Sequence, residues 1–168
     1  HPIVMGMEKF AELVAAKSGG KMVVKVFAGG TLGSDQANVS ALQGGTLEMV
    51  SMNSGILASQ VKDFAVFDFP FMFANTKEAD AVVDGPFGKK MHAKLEPKGI
   101  KGLAFWDNGF KSFSANTPIK TPADLRAKKM RIQSSKVLEE QVRSVGGIPQ
   151  VMAFSEVYQS LQTDVVDG

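Results

Sequence analysis

Apolar residues recur at helical spacing at the start of the chain. Val4, Met7, Phe10 and Val14 share one face, and Gly19-Gly20 stops the pattern. This predicts an amphipathic helix. Lys21 to Phe27 (KMVVKVF) is short and β-branched and predicts a strand, with a loop at Ala28-Gly29-Gly30-Thr31. Ser34 then offers an N-cap and Asp35 an acid in the first turn, where the helix dipole favours an anion. That helix runs to Gly44-Gly45, and Thr46 to Met52 (TLEMVSM) reads as a second strand. Asn53 to Lys62 is ambiguous, with a short helix as one reading. The run FAVFDFPFMF, residues 64–73, is intensely apolar, but Pro70 argues against a central strand. It predicts a buried, kinked crossing segment.

Asn75 with Glu78 three residues on has the spacing of a capping box. Pro86 starts a further helix through Met91 to Leu95, ended by Pro97 and Gly99. Ile100 to Trp106 and Lys111 to Ala115 read as strands. Thr121-Pro122-Ala123-Asp124 combines an N-cap hydroxyl, proline at the first helical position and an acid in the first turn. The strand KKMRIQ follows, residues 128–133, with Met130 and Ile132 on one face and Lys129, Arg131 and Gln133 on the other. Ser135 opens a helix through Leu138 and Val142 to Gly146-Gly147. Pro149 to Met152 is a brief strand, and Ser155 is placed to cap a final helix with Val157, Leu161 and Val165 on one face. Strands alternating with helices mean an α/β fold with a mostly parallel sheet. The polar, proline-flanked stretch Asn116 to Thr121 (NTPIKT) is the candidate hinge.

Composition narrows the partners. The chain has 168 residues, 44% hydrophobic and 21% charged, with 19 basic against 17 acidic side chains. So balanced a charge, without a basic run or basic helix face, leaves no footprint for nucleic acid. Cysteine is absent, which excludes disulfides and thiolate chemistry. No apolar run approaches the roughly 20 residues that span a bilayer. No secretion signal is present in the first residues, and both ends read as cut rather than finished.

Enzyme chemistry finds little to stand on. No GxGxxG follows a strand and no GxxxxGK[ST] occurs, so no nucleotide cofactor is expected. Gly29-Gly30-Thr31-Leu32-Gly33 lacks the lysine of a phosphate loop. The only histidines are His1 and His92, and neither has the convergent ligands of a metal site. Asp68, the lone acid within the apolar run, reads as a buried acid with a raised pKa or as a turn residue. No acid, base and nucleophile assemble.

What remains are polar groups where strands end, the place where open α/β sheets bind ligands. Asn53 closes the 46–52 strand. Trp106, Asn108 and Lys111 close the 100–106 strand, Arg131 and Gln133 belong to the strand after the hinge, and Phe154 follows the last strand. An arginine fork takes a carboxylate bidentately, and a lysine adds a second charge. Against this stand plainer readings. Arg131 reads equally as an edge-strand surface residue or half of a structural ion pair. Lys111 reads as a solvated lysine, and Trp106 and Phe154 as core.

The sequence resembles the extracytoplasmic solute-binding proteins of TRAP transporters, the DctP-like family. The resemblance rests on KFAELVAAKSGGKMVVKVFAGGTLGSD, on FAVFDFPFMF, on NTPIKTPADL followed by KKMRIQ, and on GGIPQVMAFSEVYQSLQTDVVDG. It covers essentially the whole chain in order. It implies a periplasmic-binding-protein-like fold of two α/β lobes joined at a hinge. Here the first lobe is residues 1–117 and the second begins at 118–168, both incomplete. It also implies a small organic acid as ligand, a TRAP membrane permease as partner, a periplasmic location and no cofactor. The family's signature arginine falls on Arg131, whose implied role is pairing with the ligand carboxylate. Lys111 matches a second basic position, and Phe154 a ring that packs on the ligand. Asn53 and Asp35 match polar positions of the first lobe, Trp106 a cleft aromatic, and His1 a loop edging the cleft.

Three departures stand out. Ala127, in LRAKKMR, occupies a position usually glycine. Asp164, in QTDVVDG, replaces a small or polar residue and is expected to bring charge to the cleft's far wall. The chain is about half the family's length. Unpaired sheet edges recruit other chains, so a homo-oligomeric, rearranged or domain-swapped state is expected, or else a processed form of a longer protein. Two other functions stay open: a non-binding or self-assembling structural fragment, and the ligand-sensing domain of a receptor.

Overall fold

The computed structural model describes residues 2–168, and His1, expected at the cleft edge, lies outside the described residues. Six α-helices form among the described residues: α1 (Pro2–Lys17), α2 (Asp35–Gln43), α3 (Thr76–Val83), α4 (Pro86–Ala93), α5 (Lys136–Ser144) and α6 (Phe154–Gln162). Short 3-10 helices cover Ser54–Ser59, Lys62–Asp68, Glu96–Lys98 and Pro122–Leu125. The strands are β1 (Lys129–Ile132) and β2 (Ile148–Val151).

Local chemistry sets most of the helix ends. Ser34 Oγ accepts from Ala37 N at 3.3 Å, Asn75 Oδ1 from Glu78 N at 3.0 Å and Ser135 Oγ from Leu138 N at 3.4 Å. These bonds satisfy amides that a helix start leaves without partners. The cap of α6 is Ala153, not Ser155, and the Glu156 carboxylate accepts from Ala153 N at 3.2 Å. Because the acid serves that end, the helix starts earlier and Phe154 becomes its first residue.

β1 and β2 pair in parallel, with Arg131 opposite Gln150 and Met130 opposite Pro149. Ile148 N donates to Lys128 O, just before β1, at 2.8 Å, and Met152 N to Ile132 O at 3.3 Å. By the two-residue alternation of a strand, the proline nitrogen therefore faces the outer edge, where its missing N–H costs nothing. The other side of β1 is flanked by the last two residues. Asp167 N donates to Lys129 O at 2.8 Å, Arg131 N to Gly168 O at 2.7 Å, and Asn116 N to Asp167 O at 2.9 Å. The expected hinge is thus tied to β1 through the last two residues.

The strands expected at 21–27, 46–52, 100–106 and 111–115 form no backbone ladder among the described residues. β-Branched composition favours an extended backbone, but a strand needs a neighbour about 4.8 Å away to bond. Only β1 and β2 find one.

Two apolar cores form. One gathers Val39, Ile56, Phe64, Met91, Leu95 and Ile100. Phe67 bridges its rim, with ring centroids 5.7 Å from Phe64 and 5.3 Å from Phe105. The other gathers Leu125, Met130, Ile132 and Val142. α5 reaches toward the first core, where the Gln141 side chain donates to the Asp68 carbonyl. The run 64–73 is not buried throughout. Phe64 and Asp68 are buried, but Phe69, Phe71 and Met72 are exposed, and Phe71 is fully so at φ 59°. The 3-10 turn of Lys62–Asp68 directs its apolar residues inward only as far as Asp68. Beyond it, Pro70 and the left-handed Phe71 turn the chain outward.

Candidate functional site

β1 answers its own alternation. Met130 and Ile132 are buried in the second core, so Arg131 must emerge on the opposite face. There its Nε and Nη2 both donate to the Met152 carbonyl, at 3.2 and 3.0 Å. Met152 ends the β2 side of the pair, so a backbone oxygen fixes the guanidinium's orientation. The Arg131 guanidinium carbon lies 6.0 Å from the centroid of the Phe154 ring. Phe154 reaches it because it is the first residue of α6, immediately after the β2 turn.

Asp35 shares this environment from the first turn of α2. Partial burial raises its pKa, and the Arg131 charge works in the opposite sense. Partial burial likewise lowers the Arg131 pKa, and the Asp35 charge opposes that. The two groups feel each other, yet no ion pair within 4.0 Å joins Arg131 to any acid among the described residues. A guanidinium has five N–H donors. Two are taken by Met152 O, which leaves the Nη1–Nη2 end for an anion.

Lys111 lies in a different group. Its ammonium is paired with Oδ1 of Asp68, whose side chain is 1% exposed. The other Asp68 oxygen is buried without a hydrogen-bond partner. Gly55 is packed against that carboxylate, and Asn53 Oδ1 accepts from Gly55 N at 3.0 Å. Asn53 is thereby engaged as the cap of the Ser54–Ser59 turn. Trp106 lies elsewhere again, its ring edge 3.3 Å from where a Cβ on Gly6 of α1 would be.

Of the six residues expected to line a site, Arg131 and Phe154 come together, with Asp35 within electrostatic reach of Arg131. Lys111 pairs with Asp68, Asn53 caps the turn whose Gly55 packs on that carboxylate, and Trp106 packs on α1. Asp164 stands just past the C-terminal end of α6, beyond its cap Thr163. Sequence reasoning missed the Met152 carbonyl, which carries no side-chain signal. It also missed the partnership of Lys111, although a lone acid inside FAVFDFPFMF was the visible hint. Two open concavities, of about 420 and 400 Å³, lie at Phe113–Ile119 and around Pro122, Arg126 and Arg143, away from the three converging residues.

The sequence profile of the bacterial extracellular solute-binding proteins, family 7 (DctP), matches residues 1–168. The C4-dicarboxylate-binding periplasmic protein DctP of Rhodobacter capsulatus is 49% identical over 97% of this chain and 49% of its own length. Among solved structures, the sugar acid binding protein DctPAm of Advenella mimigardefordensis, in complex with galactonate, superposes with a TM-score of 0.97 at 38% identity. The match covers 99% of this chain and 54% of that one. A TRAP periplasmic solute-binding protein of Sulfurospirillum deleyianum with bound succinate gives 0.93 at 39% identity, over 98% and 53%. The chain spans about half the length of these relatives.

Proposed function

The chain belongs to family 7 of the bacterial extracellular solute-binding proteins, transport proteins rather than enzymes, and on that premise we propose that it serves as the solute-binding component of a TRAP transporter. Its fold is the incomplete α/β architecture of periplasmic binding proteins. In this reading a small organic acid is held through its carboxylate by Arg131 and passed to a membrane permease. The compartment is the periplasm, by which the relatives are named. The division into lobes 1–117 and 118–168 belongs to the same proposal. It is supported by two separate cores, one built from residues before the hinge and one from residues after it.

One observation carries the reading. Arg131 is half-buried, clamped by a backbone carbonyl and a ring, and pairs with no acid among the described residues, so its charge is oriented and available. Titration calorimetry with galactonate and succinate tests it. Truncating a buried hydrogen-bonded charge costs about 2–5 kcal/mol of binding. Arg131→Ala is therefore expected to weaken the acid by at least thirtyfold, with the circular dichroism spectrum unchanged. An affinity that survives the substitution removes Arg131 from the site.

A second reading, a self-associating chain, draws on the exposed Phe69, Phe71 and Met72. Sedimentation velocity at two protein concentrations decides it, and a single monomeric boundary at both removes it.

A further inference from the structure

Resting on that acid-binding reading, we propose that Asp167 is a positioning residue for Arg131. It fastens β1 to the hinge segment at Asn116, and so sets where the guanidinium meets a ligand carboxylate.

The proposal comes from how Asp167 is held. Its backbone N donates to Lys129 O at 2.8 Å, and its carbonyl accepts from Asn116 N at 2.9 Å. The carboxylate repeats both links. Oδ2 accepts from Lys129 N at 2.7 Å and Oδ1 from Asn116 Nδ2 at 3.4 Å. One half-buried residue thus bridges the strand and the hinge segment twice, once by backbone and once by side chain. Its neighbours hold it in place. Val166 is buried, and a Cβ on Gly168 would collide with Ser114 O, so the 166–168 segment lies tight against the chain just before the hinge.

The carboxylate stands in for a ladder bond. The N–H and C=O of one strand residue point to the same side, and a parallel neighbour meets both with its backbone. Here the backbone meets only Lys129 O, and Lys129 N donates to the Asp167 carboxylate instead. Such charge-assisted bonds are stronger than neutral ones. The next β1 residue on that side is Arg131, whose N donates to Gly168 O at 2.7 Å. The guanidinium is tied the other way, to Met152 O just past β2. Arg131 is therefore held between β2 and the 166–168 segment, and the Asp167 carboxylate is the side-chain part of the second anchor. A binding group has to be held within about 0.5 Å of its productive position. Releasing Lys129 N frees the start of a four-residue strand, two positions from the arginine.

The experiment is titration calorimetry of the full chain with galactonate and succinate, beside urea unfolding of the same samples. Asp167→Ala is expected to weaken both acids about tenfold under conditions where it is fully folded, and Asp167→Asn, which keeps an oxygen for Lys129 N, to recover affinity to within about threefold. In an Arg131→Ala background the effect of Asp167→Ala should shrink below about twofold, because no guanidinium is left to misplace. A merely structural residue would lower stability and leave that coupling at zero. If Asp167→Ala lowers stability with affinity unchanged, or weakens the acids equally with and without Arg131, the positioning role is overturned while acid binding stands. Should Asp167→Ala fail to fold, Asp167→Glu is read in its place. It keeps the charge but displaces the oxygens by one methylene, so an affinity equal to that of the unmodified chain overturns the proposal. If the unmodified chain binds neither acid, the acid-binding reading fails and takes this one with it.

Discussion

The ammonium of Lys111 closes on the buried carboxylate of Asp68, and that carboxylate has nowhere else to go. A methyl group on Gly55 would collide with its Oδ2, and the Asp68 carbonyl is held by Gln141 of α5. Lys111 is half in solvent, so its Coulombic gain is screened. The cost of removing it comes from the buried oxygens left behind.

Lys111→Ala is therefore expected to act on stability first. Leaving a buried acceptor unsatisfied costs about 1–3 kcal/mol, a fall of roughly 2–12 °C in Tm for a chain of this size. Acid affinity should move less than tenfold. Urea unfolding and calorimetry on the same variant separate the two. A thirtyfold affinity loss with unchanged stability would return Lys111 to the ligand site.

Ala127 and Asp164 both hold left-handed backbone, at φ 60° and 56°. For alanine that conformation costs on the order of 1 kcal/mol, whereas aspartate visits it more readily. Ala127→Gly is expected to stabilise by about 0.5–1 kcal/mol after the added freedom of the unfolded chain is counted. Asp164→Gly should change stability by less, since Asp164 closes α6 with Val165 N on Ser160 O at 2.9 Å and Asp164 N on Leu161 O at 3.4 Å. Denaturant midpoints compare them directly, and equal shifts would contradict the difference in side-chain tolerance.

Asp124 carries the acid sensitivity of the hinge. Its Oδ2 accepts from Lys120 N at 2.9 Å, Thr121 N at 2.7 Å and Thr121 Oγ1 at 3.1 Å. Those bonds hold its pKa below the ordinary 3.8. A carboxylate depressed on folding contributes stability above its unfolded value, and loses it as pH falls through the folded value. Asp124→Ala should thus destabilise at pH 6 and converge with the unmodified chain below pH 3.8. Unfolding midpoints along that series report it, and a gap that persists in acid would mean the capping bonds do not depend on charge.

Helix ends were the most legible part of the chain, because a cap is local chemistry. Ser34, Asn75 and Ser135 act within three residues of themselves. Ser155 misled because Glu156 reaches back to the Ala153 amide and the helix starts two residues before the serine. Arg131 was legible as an anomaly, a cation alternating with Met130 and Ile132. Its orientation was not, since Met152 O is a backbone atom just past the other strand. The pairing of Lys111 was not legible either, because its partner Asp68 is 43 positions away in sequence. Spacing rules do not see such a distance.

The sequence by itself determined what depends on a few neighbouring residues. That includes helix starts and stops, the parallel β1–β2 unit, the face on which Arg131 emerges and the family to which the chain belongs. Only the tertiary structure decided which extended segments find a ladder partner and which of two cations stays unpaired. It also decided which of six polar or aromatic candidates share one corner. Those outcomes turn on charges and hydrogen-bonding edges brought together from distant positions, and chain order does not encode their separation in space.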